Sequence, residues 1–263
     1  MKNKKNLLRN KNAEITTQQI VMLIVLLASF VVLLFFLFKI NFQELSEKEI
    51  CQSSIQLAGK ASFFAKIDCK TDYICISGGG ECKDFTAKKI ISIVPGDKTL
   101  KNQIMKALAD EMVDCWWMFG EGKVDYVDSS FTGNTACAVC AEIAFDEKLI
   151  GGAGVDKWIS YDDFYTFLKD NYVDKDKTQK YSDYLKLASR EEMNKFYTSK
   201  SIFFDKKYGI YTGRDKAGWF GRAYSWVVGN SDEKLKGALP PVILERNQLN
   251  TSPLKCSSFV TTP

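Results

Sequence analysis

The sequence predicts an α+β protein: an N-terminal transmembrane helix, a juxtamembrane helix continuing from it, and a disulfide-stabilised mixed α/β extracytoplasmic domain with a β-rich C-terminal part. Three observations predict it. Residues 15–38 of the 263 carry no charge and include the 19-residue apolar run Ile20 to Phe38. All eight cysteines (Cys51, Cys69, Cys75, Cys82, Cys115, Cys137, Cys140, Cys256) follow that run. Beyond it, segments with a 3.6-residue apolar period alternate with short runs rich in β-branched and aromatic residues.

As a helix the run is about 28 Å long, close to the ~30 Å hydrocarbon core of a bilayer. A secretory signal has a shorter apolar region, roughly 7 to 15 residues, and a small-residue cleavage site. Here the run ends Phe35-Phe36-Leu37-Phe38-Lys39, so an uncleaved signal anchor is expected. Lys2, Lys4, Lys5, Arg9 and Lys11 precede the span with Glu14 as the one acid, while Glu44, Glu47 and Glu49 offset Lys39 and Lys48 after it. The positive-inside rule then puts the N-terminus in the cytoplasm and the remainder outside, in the cell membrane by a single pass. Eight cysteines confined to the outer portion suit an oxidising compartment and allow four disulfides.

The expected divisions are a cytoplasmic arm (1–19), the span (20–38), a helical stem (39–69) and the outer domain (70–263), with a sub-boundary near 199. In the stem, Ser46-Glu47-Lys48-Glu49 has capping-box spacing and opens a helix to about Lys66. Residues 72–77 alternate as a strand that turns at Gly78-Gly79-Gly80, and Ile90 to Val94 is a second strand ended by Pro95-Gly96. Lys98 to Phe119 is the strongest helix of the outer domain, with Asp97 as its cap, Gly120 as its stop, and Leu100, Ile104, Ala107, Leu108, Met112, Cys115 and Trp116 on one face. Lys123 to Asp128 and Val139 to Phe145 have strand composition. Ser160 caps a helix bearing Tyr161, Phe164, Phe167 and Leu168, and another helix is expected from about Thr178 to Tyr197. Short strands follow at 202–204, 208–211, 219–228 and, after Pro240-Pro241, 242–244.

Composition excludes several functions. No histidine is present, which removes Ser-His-Asp and Cys-His nucleophiles and histidine metal sites. After residue 38 there are 31 Lys and Arg and 31 Asp and Glu, so the formal +4 resides in the N-terminal arm and no broad basic field recruits nucleic acid. Cys137-Ala138-Val139-Cys140 is a CxxC, suited in principle to zinc or to thiol exchange. It lacks a second close pair for zinc and a helix N-terminus for redox chemistry, so structural disulfides reaching to Cys115 and to the 69–82 cluster are expected, with connectivity open. Asp174-Lys175-Asp176-Lys177-Thr178 begins like a calcium loop but lacks the Gly at position 6 and the Glu at position 12. Gly78-Gly79-Gly80 and Gly151-Gly152-Ala153-Gly154 lack the Lys-Ser/Thr of a phosphate loop and read as turns. No cofactor or metal is expected.

Carboxylate pairs such as Glu121 with Asp125, or Asp162 with Asp163, are of the kind glycoside hydrolysis uses, but nothing in their spacing singles them out. Trp219, Tyr224 and Trp226, near Arg214 and Arg222, form a candidate aromatic strip for a glycan or another surface protein. Asn250-Thr251-Ser252 is an N-glycosylation sequon followed by Pro253.

The segment Asp114-Cys115-Trp116-Trp117-Met118-Phe119-Gly120-Glu121-Gly122-Lys123, followed by Cys137-Ala138-Val139-Cys140 and Ile143-Ala144-Phe145-Asp146, resembles a group of uncharacterised single-pass membrane proteins of archaea. The resemblance covers the anchor and roughly residues 45–150, and implies an anchored, cysteine-bearing architecture without an activity. Three functions follow as expectations. The first is a membrane-anchored surface domain for structure or binding, not an enzyme; the second is a pilin-like filament subunit, for which Lys11-Asn12-Ala13 distantly resembles a prepilin cleavage region. The third is an extracytoplasmic enzyme working by thiol exchange or carboxylates.

Overall fold

The computed structural model describes residues 17–39, 47–60, 66–94, 99–127, 135–151, 156–187, 190, 200–215, 237–247, 256 and 258–261. The chain divides into two compact units, 1–45 and 46–263. In the first, α1 (Thr17–Lys39) is 23 residues of α-helix, and its large apolar side chains from Ile20 to Val32 are exposed. Its described side chains cover 19–32, about 21 Å of helix. Among the described residues no helix is long and apolar enough to cross a membrane.

The second unit is a mixed α+β fold. Its elements are α2 (Glu47–Lys60), β1 (Asp72–Ser77), β2 (Lys89–Ser92), α3 (Leu100–Met118), β3 (Thr135–Phe145), α4 (Glu147–Gly151), β4 (Trp158–Ser160), α5 (Tyr161–Asp170), α6 (Tyr181–Tyr184), β5 (Ser201–Phe203), β6 (Tyr208–Asp215), β7 (Ala238–Glu245) and β8 (Ser258–Phe259). Five strands lie side by side in the order β2-β1-β3-β6-β7, and β8 is a short sixth; β4 and β5 pair apart from them. β1 is parallel to β2 and β3, while β6 is antiparallel to β3 and β7. The 11-residue β3 meets β1 through Ala141–Phe145 and β8 through Ala136 and Cys137, so two short strands share one of its edges.

The helices form because their apolar residues recur at helical intervals. On α3, Leu100, Ile104, Leu108, Met112, Cys115 and Trp116 are buried and join Ile74, Ile76, Ile143, Phe145, Ile210 and Ile243 in one core. Ser160 caps α5 as expected, its Oγ accepting from Asp163 N at 2.9 Å, and Tyr161, Phe164, Phe167 and Leu168 are buried. The described part of the expected stem, α2, is packed into the domain, with Cys51, Ser54, Ile55 and Ala58 buried. A charged cluster fastens its start: Lys48 pairs with Asp114, with Glu111 at 3.5 Å and with Asp72 at 3.9 Å, and Lys89 completes Glu111. Burial pulls the Lys48 ammonium down, but the surrounding carboxylates outweigh it and hold its pKa above the ordinary value.

Three expectations are corrected. Residues 123–127 are irregular, not a strand, because the preceding turn is left-handed. The helix expected from Thr178 to Tyr197 is interrupted among the described residues: α6 covers Tyr181–Tyr184, Lys186 takes φ +53°, and Arg190 is helical again. The described part of α2 is helical to Lys60, and residues 61–65, where the expected helix would end, lie outside the described residues. β7 runs through Pro240-Pro241 instead of starting after them: Tyr211 pairs with Val242 and Gly213 with Leu239, leaving two prolines opposite Thr212. That bulge, on an edge strand, is where proline's missing N–H costs no ladder bond. The capping Ser46 and Asp97, the 219–228 run, Trp219, Tyr224, Trp226, Arg222 and Asn250 lie outside the described residues.

All eight cysteines are paired, as Cys51–Cys69, Cys75–Cys82, Cys115–Cys140 and Cys137–Cys256. The CxxC reaches Cys115 as expected, but Cys137 joins Cys256 instead of the 69–82 cluster. Cys137–Cys256 spans 119 residues of sequence. Replacing both by Ser is expected to lower stability by about 4–5 kcal/mol on the loop-entropy relation, read by urea denaturation, and peptide mapping under non-reducing conditions is expected to return these four pairs.

Candidate functional site

A cleft of about 460 Å³ opens between α2 and the segment that follows α3. Gln52 and Gln56 line it from α2, Trp117 from the last turn of α3, and Gly120, Glu121, Lys123 and Val124 from the connection beyond. The volume is within the roughly 300–1,000 Å³ usual for small-molecule sites.

The connection gets its shape from three successive residues in the left-handed region: Gly120 (φ +71°), Glu121 (φ +55°) and Gly122 (φ +72°). Glycine enters this region freely, whereas a residue with a Cβ is strained there by about 1–2 kcal/mol. Glu121 is the strained member, and it is the one that lines the cleft. At Gly120 a Cβ would also stand 2.5 Å from Val124 Cγ2, and at Gly59 of α2 one would stand 2.3 Å from Val124 Cγ1. Val124 is thus wedged between two glycines, which sets the approach of α2 to the turn.

Arg214 of β6 holds the turn from below. Its buried guanidinium donates to the carbonyls of Gly122 (3.1 Å) and Val124 (3.0 Å), and its Nε pairs with Asp125 at 3.0 Å. Lys123 N donates to Gly120 O at 2.9 Å, closing the turn on itself. Such over-determination is what lets a strained residue persist.

Glu121 is committed on both oxygens: Oε2 pairs with Lys123, and Oε1 accepts from Tyr184 Oη at 3.0 Å. The Lys123 hydrogen bond is the chief reason its carboxyl is held below the usual carboxylate range; partial burial opposes this and the Tyr184 hydroxyl adds to it. Burial first, then the Glu121 charge, pushes the Tyr184 phenol upward. Gln52 donates to Trp117 O over a long 3.4 Å, while Trp117 itself is half-buried and Gln56 exposed.

The cleft takes in Trp117, Gly120, Glu121 and Lys123 of the Cys115–Lys123 segment and none of the other residues singled out from sequence. Glu121 and Asp125 do not act as a pair: Asp125 serves Arg214, and Asp162 is bonded to Arg190. Arg214 supports the turn and is no part of a ligand-facing strip. Cys137 and Cys140 are buried and bonded to different partners. Asp174 holds Thr178, accepting its N–H at 2.8 Å. Among the described residues no group of three or more Cys, Asp or Glu could hold a metal ion. Gln52, Gln56 and Tyr184 were not foreseen; their one sequence signal is helical spacing of two amides, which is too common to mark a site.

No family model matches the chain, and neither a curated protein nor a solved structure matches it.

Two outcomes are expected. Because the folded state binds the Glu121 proton more weakly than the unfolded chain does, its contribution to stability is complete above the ordinary carboxylate pKa of about 4.3 and is lost as pH falls through the depressed value. A carbon-13 NMR titration should show that low midpoint, and Lys123→Met should raise it. Arg214→Met strips donors from two carbonyls and should cost about 2–4 kcal/mol, with faster hydrogen exchange at Lys123 N.

Proposed function

We propose that the chain is a single-pass membrane protein whose N-terminus is cytoplasmic and whose domain from residue 46 onward stands on the outer face as a binding or structural domain of the cell surface. The observation that carries this reading is the oxidised state of all eight cysteines, every one of which follows the apolar run. Four disulfides persist in oxidising compartments and are rare in a reducing cytosol. Exposure of the apolar side chains of α1 from Ile20 to Val32 supports the anchor, since such a surface is costly in water and favourable in lipid. The basic arm before it supports the orientation. The motif resemblance to single-pass archaeal proteins agrees.

Binding is favoured over turnover by the cleft. Its described carboxylate, Glu121, is tied to Lys123 and Tyr184 and is biased towards the ionised form, a poor general acid. Thiol exchange is disfavoured because Cys137 and Cys140 are 0% and 2% exposed and each is bonded to another part of the fold. The pilin-like reading depends on residues before 17, and a mature N-terminus near Glu14 would establish it.

Labelling intact cells with a membrane-impermeant maleimide tests the placement. The half-buried Cys82 and Cys256 should label only after treatment with an impermeant reductant, with the N-terminal peptide intact. Free labelling of thiols only after lysis would overturn it.

A further inference from the structure

We propose that the cleft between α2 and the 120–124 turn binds a neutral saccharide. The inference rests on the reading of the domain as an outward-facing binding domain and names its ligand class. Four features of the cleft select that class. First, its charges are already balanced: Glu121 is neutralised by Lys123 and capped by Tyr184. An anionic ligand would have to face the carboxylate, and a cationic one would have to displace the lysine. Second, Gln52 and Gln56 stand one helical turn apart on α2 and line the same space. Each amide carries two donors and an acceptor, and Gln52 spends one donor on a weak bond to Trp117 O. Vicinal hydroxyls, which donate and accept at once, match such groups. A purely apolar ligand would leave the amides and the ion pair without water or partners.

Third, Trp117 supplies an aromatic wall beside these polar groups. A pyranose has an apolar C–H face and a polar rim, so it packs on an indole while its hydroxyls reach amides and carboxylate. Fourth, the backbone is strained at the residue that presents the carboxylate. Glu121 occupies the left-handed region between two glycines that also do so, and a glycine there would be unstrained. Held by Arg214 and Tyr184, the carboxylate is fixed before a ligand arrives, which lowers the entropy cost of binding.

Saturation-transfer NMR and calorimetry on the full, disulfide-bonded chain, in a detergent without a sugar headgroup, test this. The probes are cellobiose, maltose, mannobiose and N,N′-diacetylchitobiose, with digalacturonate and diglucosamine as acidic and basic counterparts. At least one neutral disaccharide should bind saturably, with affinity lost about tenfold or more in Trp117→Ala and in Glu121→Gln. That affinity should change less than about twofold between roughly 0.05 and 0.5 M NaCl, because no net charge is engaged. Gln56→Ala, at an exposed helix position, should lose affinity likewise and serves where Trp117→Ala disturbs the far-ultraviolet circular dichroism. Failure of every neutral probe to saturate, binding indifferent to all three substitutions, or a salt-sensitive preference for a charged probe would each overturn the proposal. A chain that labels from outside the cell yet binds none of the neutral probes loses the saccharide site alone; one that labels only after lysis loses its outward placement.

Discussion

Residues 137 and 140 are three apart on one strand, and the structure turns on how β3 resolves that spacing. Val139 pairs with Tyr211 and Ala141 with Ile210, so Cys140 is an extra residue in the ladder. The bulge turns Cys140 to the same core as Ala141, Ile143 and Phe145, where Cys115 of α3 meets it. Before the bulge the alternation resumes in shifted phase, and Cys137 is left outside that core, bonded to Cys256. β3 therefore carries α3 by one staple and the C-terminal segment by another. Its edges carry β1, β8 and β6 through backbone bonds, reinforced by Thr71 Oγ1 donating to Val139 O and Val139 N donating to Thr261 Oγ1.

The cleft inherits its geometry from this strand at one remove. Ala136 of β3 pairs with Arg214 of β6, which places the guanidinium under the left-handed turn. α3, stapled to β3 at Cys115, delivers Trp117 and the start of the turn from above. Strained backbone is thereby confined between two supports, each rooted in β3. Neighbouring Asp146 shows the same economy: fully buried, it accepts from Ser77 Oγ, Gly80 N and Leu149 N, and so fixes the triple-glycine turn and the start of α4 together.

Elements whose sequence carries one dominant physical signal were legible. α3 and α5 declare a helical period, β1 an alternation, and Ser160 a cap. Less was legible where a distant partner decides. Residues 123–127 have strand composition, yet Gly120 and Gly122 turn the backbone left-handed and Arg214 keeps it so; Gly120 reads locally as no more than a helix stop. Pro240-Pro241 looks like a strand breaker until an edge bulge absorbs both. The pairing of Cys137 with Cys256 depends on the phase of a bulge, which composition does not encode. The cleft was half legible: Trp117, Glu121 and Lys123 stand in a segment noticed for its motif, but Gln52 and Gln56 join it, and Tyr184 reaches Glu121, only through tertiary packing.

The Cys51–Cys69 bridge also decides how the domain answers tension on its N-terminal side. A pull entering at residue 46 meets only Glu47 to Ile50 before reaching Cys51, and from there the covalent path leaps to Cys69 and on through Lys70 and Thr71 to β1. Residues 52–68 lie off that path. Gln52 and Gln56 are therefore mechanically shielded: a chain hauled by its leading end peels the four residues before Cys51, about one helical turn, before the load passes to the bridge.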